Sequence, residues 1–346
     1  MTERDENTAG IAYFPESYLT QMLRFFERNR DKVQVITYQD IFAVSDDYDY
    51  AQGYPSEREQ WIENTRKDTV DTGKAYVLIQ YDVDSSPQRT MSLLRHPAHE
   101  RTPANVMRFA KRVNRRLLKT AGELEYTDYD LDKDLLSRLS KQGFVIGYHS
   151  NCYERSHHDE SRAPEILAED IDALREEHEV RFYTAHGGVP CAEGKNNRDI
   201  QPLAATAQSV RWVHNGATPF FNRQFSDGGH NSPLRDPAGR DLRDFVARFR
   251  RAGRYRILLH PQYYDVNCRI SKRYSGTPWY DEMVSSVKSD PDYDIWAQVK
   301  FDNFDTKEPI NIKVPEPPSE KKLFMAKIKK KLEEGIEFAK KSMGGS

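Results

Sequence analysis

The sequence predicts an α/β fold, a (β/α) barrel around a parallel sheet. Three observations predict it. Amphipathic helical stretches alternate with short apolar runs of β character along most of the chain, the pattern of βα units. A length of 346 residues suits such a barrel as one unit. Acids and histidines recur directly after the apolar runs, where parallel β/α folds carry their chemistry.

In chain order, Tyr18 to Asn29 reads as an amphipathic helix with Leu19, Met22, Leu23 and Phe26 on one stripe, and it leads to an apolar strand, Val33 to Thr37. Ala75 to Tyr81 is a second strand and Asn105 to Phe109 a third. The helix predicted over Asp134 to Lys141 stops at Gly143, a residue suited to the position after a helix end, and the strand Phe144 to Tyr148 follows. Glu165 to Glu177 is helical and feeds the strand Val180 to Thr184. Val210 to Val213 is a short strand. Leu242 to Arg251 is a helix that ends near Gly253, before the strand Tyr255 to Leu259.

Composition removes several function classes. Apolar residues make up 37% and charged residues 31% of the chain, with a formal net charge of −2, which fits neither a membrane-spanning nor a disordered chain. The near balance of charge argues against a nucleic-acid binder. Cys152, Cys191 and Cys268 lack the close spacing of a zinc knuckle or redox pair, so no disulfide framework is expected. Residues 1–10 are polar and lack a secretory pattern, so the expected location is cytoplasmic.

The expected organisation is a polar tail over 1–10, the barrel domain over 11–305, a Pro-rich linker over 306–319 and a basic amphipathic helical tail over 320–346. In that tail Met325, Ile328, Leu332, Ile336 and Ala339 share a stripe, and lysines crowd 321–331. Such a helix suits peripheral contact with an anionic inner-membrane surface, or packing on protein.

Asp82 and Asp84 follow the second strand, and His149, His186, His214 and His260 follow later ones, so one polar pocket is expected to hold them. Two carboxylates and several imidazoles suit a divalent cation of the zinc type, with one acid free to act as base. A single Asp more often caps a turn. Two acids facing several histidine-tipped strands favour a site. Gly187 and Gly188 permit close backbone approach beside His186. His260 suits a general acid, since imidazole titrates near neutrality.

Taken in order, these motifs resemble the polysaccharide deacetylase (NodB-homology) superfamily of carbohydrate esterases and related amide hydrolases. The resemblance runs from about Tyr76 to Asp265: the acidic pair, His149-Ser150 after Gly147-Tyr148, the loop after Thr184, Ser226-Asp-Gly-Gly229, and Leu258-Leu-His-Pro261. It implies a distorted (β/α) barrel and Zn²⁺-dependent removal of an N-acetyl or O-acetyl group from a carbohydrate, in cell-surface glycan or polysaccharide biosynthesis. It implies Asp82 as base, Asp84 and His149 as metal ligands, and His260 as the group that protonates the leaving group.

Two departures stand out. The second metal histidine is expected four residues after the first, where this chain has Tyr153, and Thr184-Ala-His-Gly-Gly188 replaces an arginine-proline motif. The latter resembles the His-Gly loops of a divergent, intracellular-looking branch, which makes His186 the candidate third ligand and His157 and His158 its competitors. Asp227 either orients His260 or forms an Asp-Gly turn. Trp212, Tyr263, Tyr264 and Trp279 are candidates to stack on sugar rings, and Lys195, Asn196 and Asn197 to hydrogen-bond hydroxyls or an anionic sugar. Two other readings remain open: a catalytically silent relative that binds glycan or a partner protein, and a hydrolase of non-sugar amides.

Overall fold

A computed structural model describes residues 12–42, 73–201, 203, 210–213, 221–227, 241–268 and 276–308. The N-terminal tail, His214, Gly228, Gly229, the linker beyond 308 and the basic helical tail lie outside the described residues.

The chain opens with β1 (Phe14–Pro15), α1 (Ser17–Arg28), β2 (Val33–Ile36) and α2 (Tyr38–Phe42). Then come β3 (Ala75–Val83), α3 (Pro87–Arg95) and β4 (Asn105–Arg108), followed by β5 (Arg112–Val113), α4 (Arg115–Ala121) and β6 (Tyr126–Thr127). Next are α5 (Lys133–Lys141), β7 (Val145–Ser150), α6 (Cys152–Arg155), α7 (Ala163–Arg175), β8 (Phe182–Ala185) and β9 (Arg211–Trp212). The last are β10 (Arg223–Ser226), α8 (Leu242–Ala247), β11 (Arg254–Leu259), β12 (Tyr264–Asp265) and α9 (Pro278–Ser289).

Among the described residues, eight strands form one parallel sheet in the order β10-β11-β3-β4-β7-β8-β9, with β2 also on β3. β11 runs beside Tyr76–Tyr81, so β2 and β4 share the other edge of β3, one after the other. Every residue of β3 is buried, as expected for a parallel strand covered on both faces. Its helix-covered face carries Val77, Ile79, Tyr81 and Val83, packed with Leu19, Met22 and Phe26 of α1, Met91 and Leu94 of α3, Leu135 of α5 and Val246 of α8. Its other face runs Tyr76, Leu78, Gln80, Asp82. The first two join Ile36, Met107, Val145, Phe182 and Val213 in an inner apolar cluster, and the last two begin a polar layer above it.

β3 and β8 are three strand spacings apart in this order, about 14 Å on a flat sheet. Their tips nevertheless bring Asp84 and His186 to 3.8 Å, so the sheet curls. The result is an open, incomplete barrel: among the described residues the end strands β9 and β10 do not pair with each other.

The strands read from sequence are found within one or two residues of their expected ends. The helix expected to reach Arg251 ends at Ala247, because later backbone groups have other partners: Ala247 O accepts from Asp302 N, Arg250 N donates to Tyr255 Oη, and Arg251 N donates to Phe304 O. His149 does not follow its strand but belongs to β7, and Asp82 likewise belongs to β3.

His99 is buried behind β3. Its Nδ1 donates to Thr102 O at 2.9 Å, which leaves Nε2 to accept from Tyr81 Oη at 3.1 Å. Burial pushes its pKa down from 6.5 to about 4. The folded chain therefore refuses a proton that the unfolded chain takes. This contribution to stability is full above pH 6.5 and is lost as pH falls toward 4, up to about 3 kcal/mol. Urea midpoints measured from pH 7 to 4 should fall in the wild type and fall less steeply in His99→Gln. Equal slopes would refute the assignment.

Candidate active site

Four strand tips converge at the end of the sheet. Asp84 is the first residue past β3, His149 lies within β7, and His186 and His260 directly follow β8 and β11. His186 N donates to Ser150 O at 2.9 Å, which extends the β7–β8 ladder by one residue and fixes where the imidazole starts. His149 stands in register with Thr184, and its Nδ1 meets Thr184 Oγ1 at 2.8 Å. Phe109 supports both rings, stacked on His149 at 5.4 Å and edge-on to His186 at 5.0 Å between centroids.

The imidazoles aim their outer nitrogens at Asp84. His149 Nε2 is 3.2 Å from Asp84 Oδ1, and the Nε2 atoms of His186 and His260 are 3.8 and 3.7 Å from Oδ2. One donor atom each from Asp84, His149 and His186 lie within 4.8 Å of one another.

The protonation pattern decides what these atoms can do. Glu154 Oε2, an acceptor, faces His186 Nδ1 at 3.3 Å, so Nδ1 carries the proton. Burial lowers the pKa of His186 and favours the neutral ring, so its Nε2 presents a lone pair to a carboxylate oxygen. Asp84 Oδ1 is buried with no aligned hydrogen-bond donor. Burial would raise the pKa of Asp84, but the imidazoles of His186, His149 and His260 outweigh it and hold the carboxyl well below the usual range. Ligand atoms of Asp84, His149 and His186 thus gather in one small buried space, which fits a divalent cation.

Two further groups border this cluster. Asp82 Oδ2 is 3.7 Å from His149 Nε2, and Asp82 Oδ1 accepts from Gln80 Nε2 at 2.5 Å. The orientation of Gln80 is forced, because its Oε1 already accepts from Tyr38 Oη and Arg256 Nη2. On the other side, fully buried Asp227 accepts from His260 Nδ1 at 2.5 Å, His260 N at 2.6 Å and Tyr264 Oη at 3.1 Å. Burial alone would lower the His260 pKa; the charge and hydrogen bond of Asp227, with Asp84 and Asp82 beyond, push it up to about 10.

No family model and no curated protein matches the chain. Among solved structures it is similar to a CE4 esterase from Streptococcus mutans, at 13% identity over 62% of this chain and 82% of that one, with a TM-score of 0.33. It is also similar to a family 4 carbohydrate esterase from Bacillus anthracis, at 17% identity over 65% and 86% of the two chains, with a TM-score of 0.28. A third similarity is to a CE4 family pseudoenzyme from Bacillus anthracis, at 12% identity over 62% and 60%, with a TM-score of 0.31.

Asp82, Asp84, His149, His186, Asp227 and His260 are brought together as the sequence suggests; several other candidates are not. His157 is exposed, and His158 turns its Nε2 to Val189 O at 3.0 Å. Tyr153 packs on His158, with ring centroids 5.0 Å apart. Trp212 is in register with Tyr183, on the face covered by α7 and opposite to His149, so it does not line the pocket. Trp279 stacks on Phe14 in the core. Tyr264 is buried and holds Asp227, whereas Tyr263 lies beside the His260 ring with centroids 5.5 Å apart. Lys195 reaches Glu160 at 2.7 Å, and Asn196 Oδ1 accepts from Arg198 N within its own loop. Asn197 is fully buried and braces the site: its Oδ1 accepts from Tyr153 N and its Nδ2 donates to Glu154 Oε2.

Glu154, Gln80 and Arg256 were not legible as site residues. Glu154 belongs to no motif of its own, yet it is the residue that sets the His186 tautomer. Its Oε1 also accepts from Val189 N at 2.6 Å, past Gly188. Gly188 has φ +68°, and a Cβ there would come within 2.7 Å of the Glu154 carboxyl carbon, so the second glycine of the loop is dictated by this contact. Replacing Glu154 by Gln keeps the shape but weakens the hold on His186. Divalent-ion affinity, measured by competition with a chelator, should fall roughly 10–100-fold. It should fall no further when Glu154→Gln is added to His186→Ala. Unchanged affinity in Glu154→Gln would remove this role.

Proposed function

We propose that the protein is a zinc-type metal-dependent hydrolase that removes an N-acetyl or O-acetyl group from a carbohydrate. One observation carries the reading: ligand atoms of Asp84, His149 and His186 lie within 4.8 Å of one another, with the braced carboxylate of Asp82 and the charged His260–Asp227 pair beside them.

A cation held by Asp84, His149 and His186 would supply Lewis acidity and lower the pKa of a water molecule. Asp82, with Oδ1 tied to Gln80, offers Oδ2 to take the proton of the attacking water. His260 is protonated at neutral pH and donates from Nε2 to the departing amine or alkoxide. Asp227 holds the opposite nitrogen, fixing the ring and favouring its charged form. The pocket thus has an acceptor and a donor of protons on neighbouring strands, as acyl transfer requires.

The motifs support a carbohydrate substrate, and with it a role in cell-surface glycan or polysaccharide biosynthesis. Among the described residues no helix is long and apolar enough to cross a membrane. The test is acetate release from a panel of N- and O-acetylated nucleotide sugars, lipid-linked sugars and oligosaccharides, with metal analysis of the same sample. Bound metal with no acetate from any of them would favour the binding-protein or non-sugar amide reading instead.

A further inference from the structure

We propose that the mouth of this site receives a substrate carrying an oxyanion, a carboxylate or phosphate, near its acyl group, and that Arg112 and Arg198 bind it. The acyl part rests on the hydrolase reading above; the anion part does not.

Arg112 belongs to the small antiparallel pair β5–β6, opposite Thr127. Three ties fasten this hairpin to the rim. Asn151 Nδ2, two residues past His149, donates to Lys111 O at 2.9 Å. Tyr129, just beyond β6, donates its hydroxyl to Val83 O beside Asp84 and accepts from Phe109 N at 3.3 Å. Val113 packs against Leu118 and Val189, three residues past His186. Successive strand residues point to opposite sides, so with Val113 turned onto that cluster Arg112 is turned away from it. Burial pushes its pKa down, against the weaker opposing pull of Tyr129 and Asp84.

Arg112 is half-buried, and among the described residues no carboxylate forms an ion pair with it. A partly desolvated guanidinium without an acid is costly, and a ligand anion would offset that cost. Asp84 is unsuited to pair with it, because its oxygens face the imidazoles. Nearby Arg115 is already 3.9 Å from Glu154 Oε1.

Arg198 approaches from the loop after β8. Its side chain lies over Gly187, the residue next to His186: a Cβ there would be 3.1 Å from Nη2 and 3.4 Å from Cζ. Arg198 is exposed, and among the described residues no carboxylate forms an ion pair with it, unlike Lys195, which Glu160 engages. The hairpin that carries Arg112 is thus tied to the rim beside Asp84 and His149, and Arg198 lies beside Gly187 next to His186. The planar guanidinium fork matches the oxygens of a carboxylate or phosphate.

The experiment titrates metal-loaded wild type, Arg112→Gln, Arg198→Gln and the double variant with glucose, glucuronate, glucose 6-phosphate and inorganic phosphate, following binding by calorimetry. The wild type should prefer at least one anionic sugar over glucose by roughly tenfold or more, the scale of one charge-assisted hydrogen bond. Each single variant should reduce the preference, and the double variant should abolish it. The relative affinities for glucuronate, glucose 6-phosphate and phosphate then tell carboxylate from phosphate, and a sugar-borne anion from a free one. An anion that merely coordinates the metal would bind wild type and variants alike, and that result, or equal binding of glucose and both anionic sugars by the wild type, overturns the proposal. Charge preference without acetate release would count against the hydrolase reading alone. Acetate release insensitive to both substitutions and to substrate charge would count against this one alone.

Discussion

Asp84→Ala and His149→Ala should each strip the purified protein of its divalent ion. The wild type is expected to hold about one ion per chain by elemental analysis, because three protein donors and an open position are what a zinc-type site needs. Loss of a direct ligand should cost more than the roughly 10–100-fold that losing an outer partner costs. The same measurement addresses the departure at Tyr153. His186→Ala should lose the ion, since its Nε2 faces Asp84 at 3.8 Å. The pair His157→Ala/His158→Ala should keep it, since His157 is exposed and His158 is engaged by Val189 O. Circular dichroism of each variant checks that the fold is intact. Full metal occupancy in Asp84→Ala and His149→Ala would refute the ligand set, and metal loss only in the His157/His158 pair would transfer the third ligand to the segment after β7.

What sequence made legible, and what it did not, follows from which physical signal each feature leaves. β3, β7 and β11 stand out as apolar runs because a parallel strand is covered on both faces, and the polar residues at their ends were correspondingly conspicuous. The curl that brings Asp84 to His186 leaves no such trace. It is set by pairing across the whole sheet, with β2 and β4 sharing one edge of β3. β10 was missed because Arg223-Gln-Phe-Ser226 has a single buried apolar residue, and β5 and β6 because two-residue strands carry no periodicity.

Trp212 shows why composition misleads about a pocket. An aromatic near histidine-tipped strands looked suited to a sugar, yet the face it occupies depends on register, and pairing with Tyr183 turns it toward α7. The bracing residues were hidden for a different reason. Glu154 and Gln80 act through hydrogen bonds to other site residues, and nothing in their local sequence distinguishes a buried acid or amide from a solvated one until the partners are in place.

The expected consequence of that bracing is a separation between holding the ion and using it. Asp84 oxygens face three imidazoles, whereas Asp82 has one oxygen tied to Gln80 and the other 3.7 Å from His149 Nε2. Asp82→Asn should therefore retain metal while acetate release falls by roughly 10²–10⁴-fold, the usual contribution of a general base. His260→Ala should behave alike, because its Nε2 supplies a proton in a later step. Asp227→Asn should lower turnover while leaving metal content unchanged, since the amide can no longer sustain the charged ring as the carboxylate does. Substrate affinity should change little in Asp82→Asn, which would place its effect on kcat rather than KM. The decisive comparison is kcat for acetate release set beside metal content for each variant. Asp82→Asn as active as the wild type would refute the assigned base even if the reaction class stands. Metal loss in Asp82→Asn would move Asp82 among the ligands and leave the proton of the attacking water to another group.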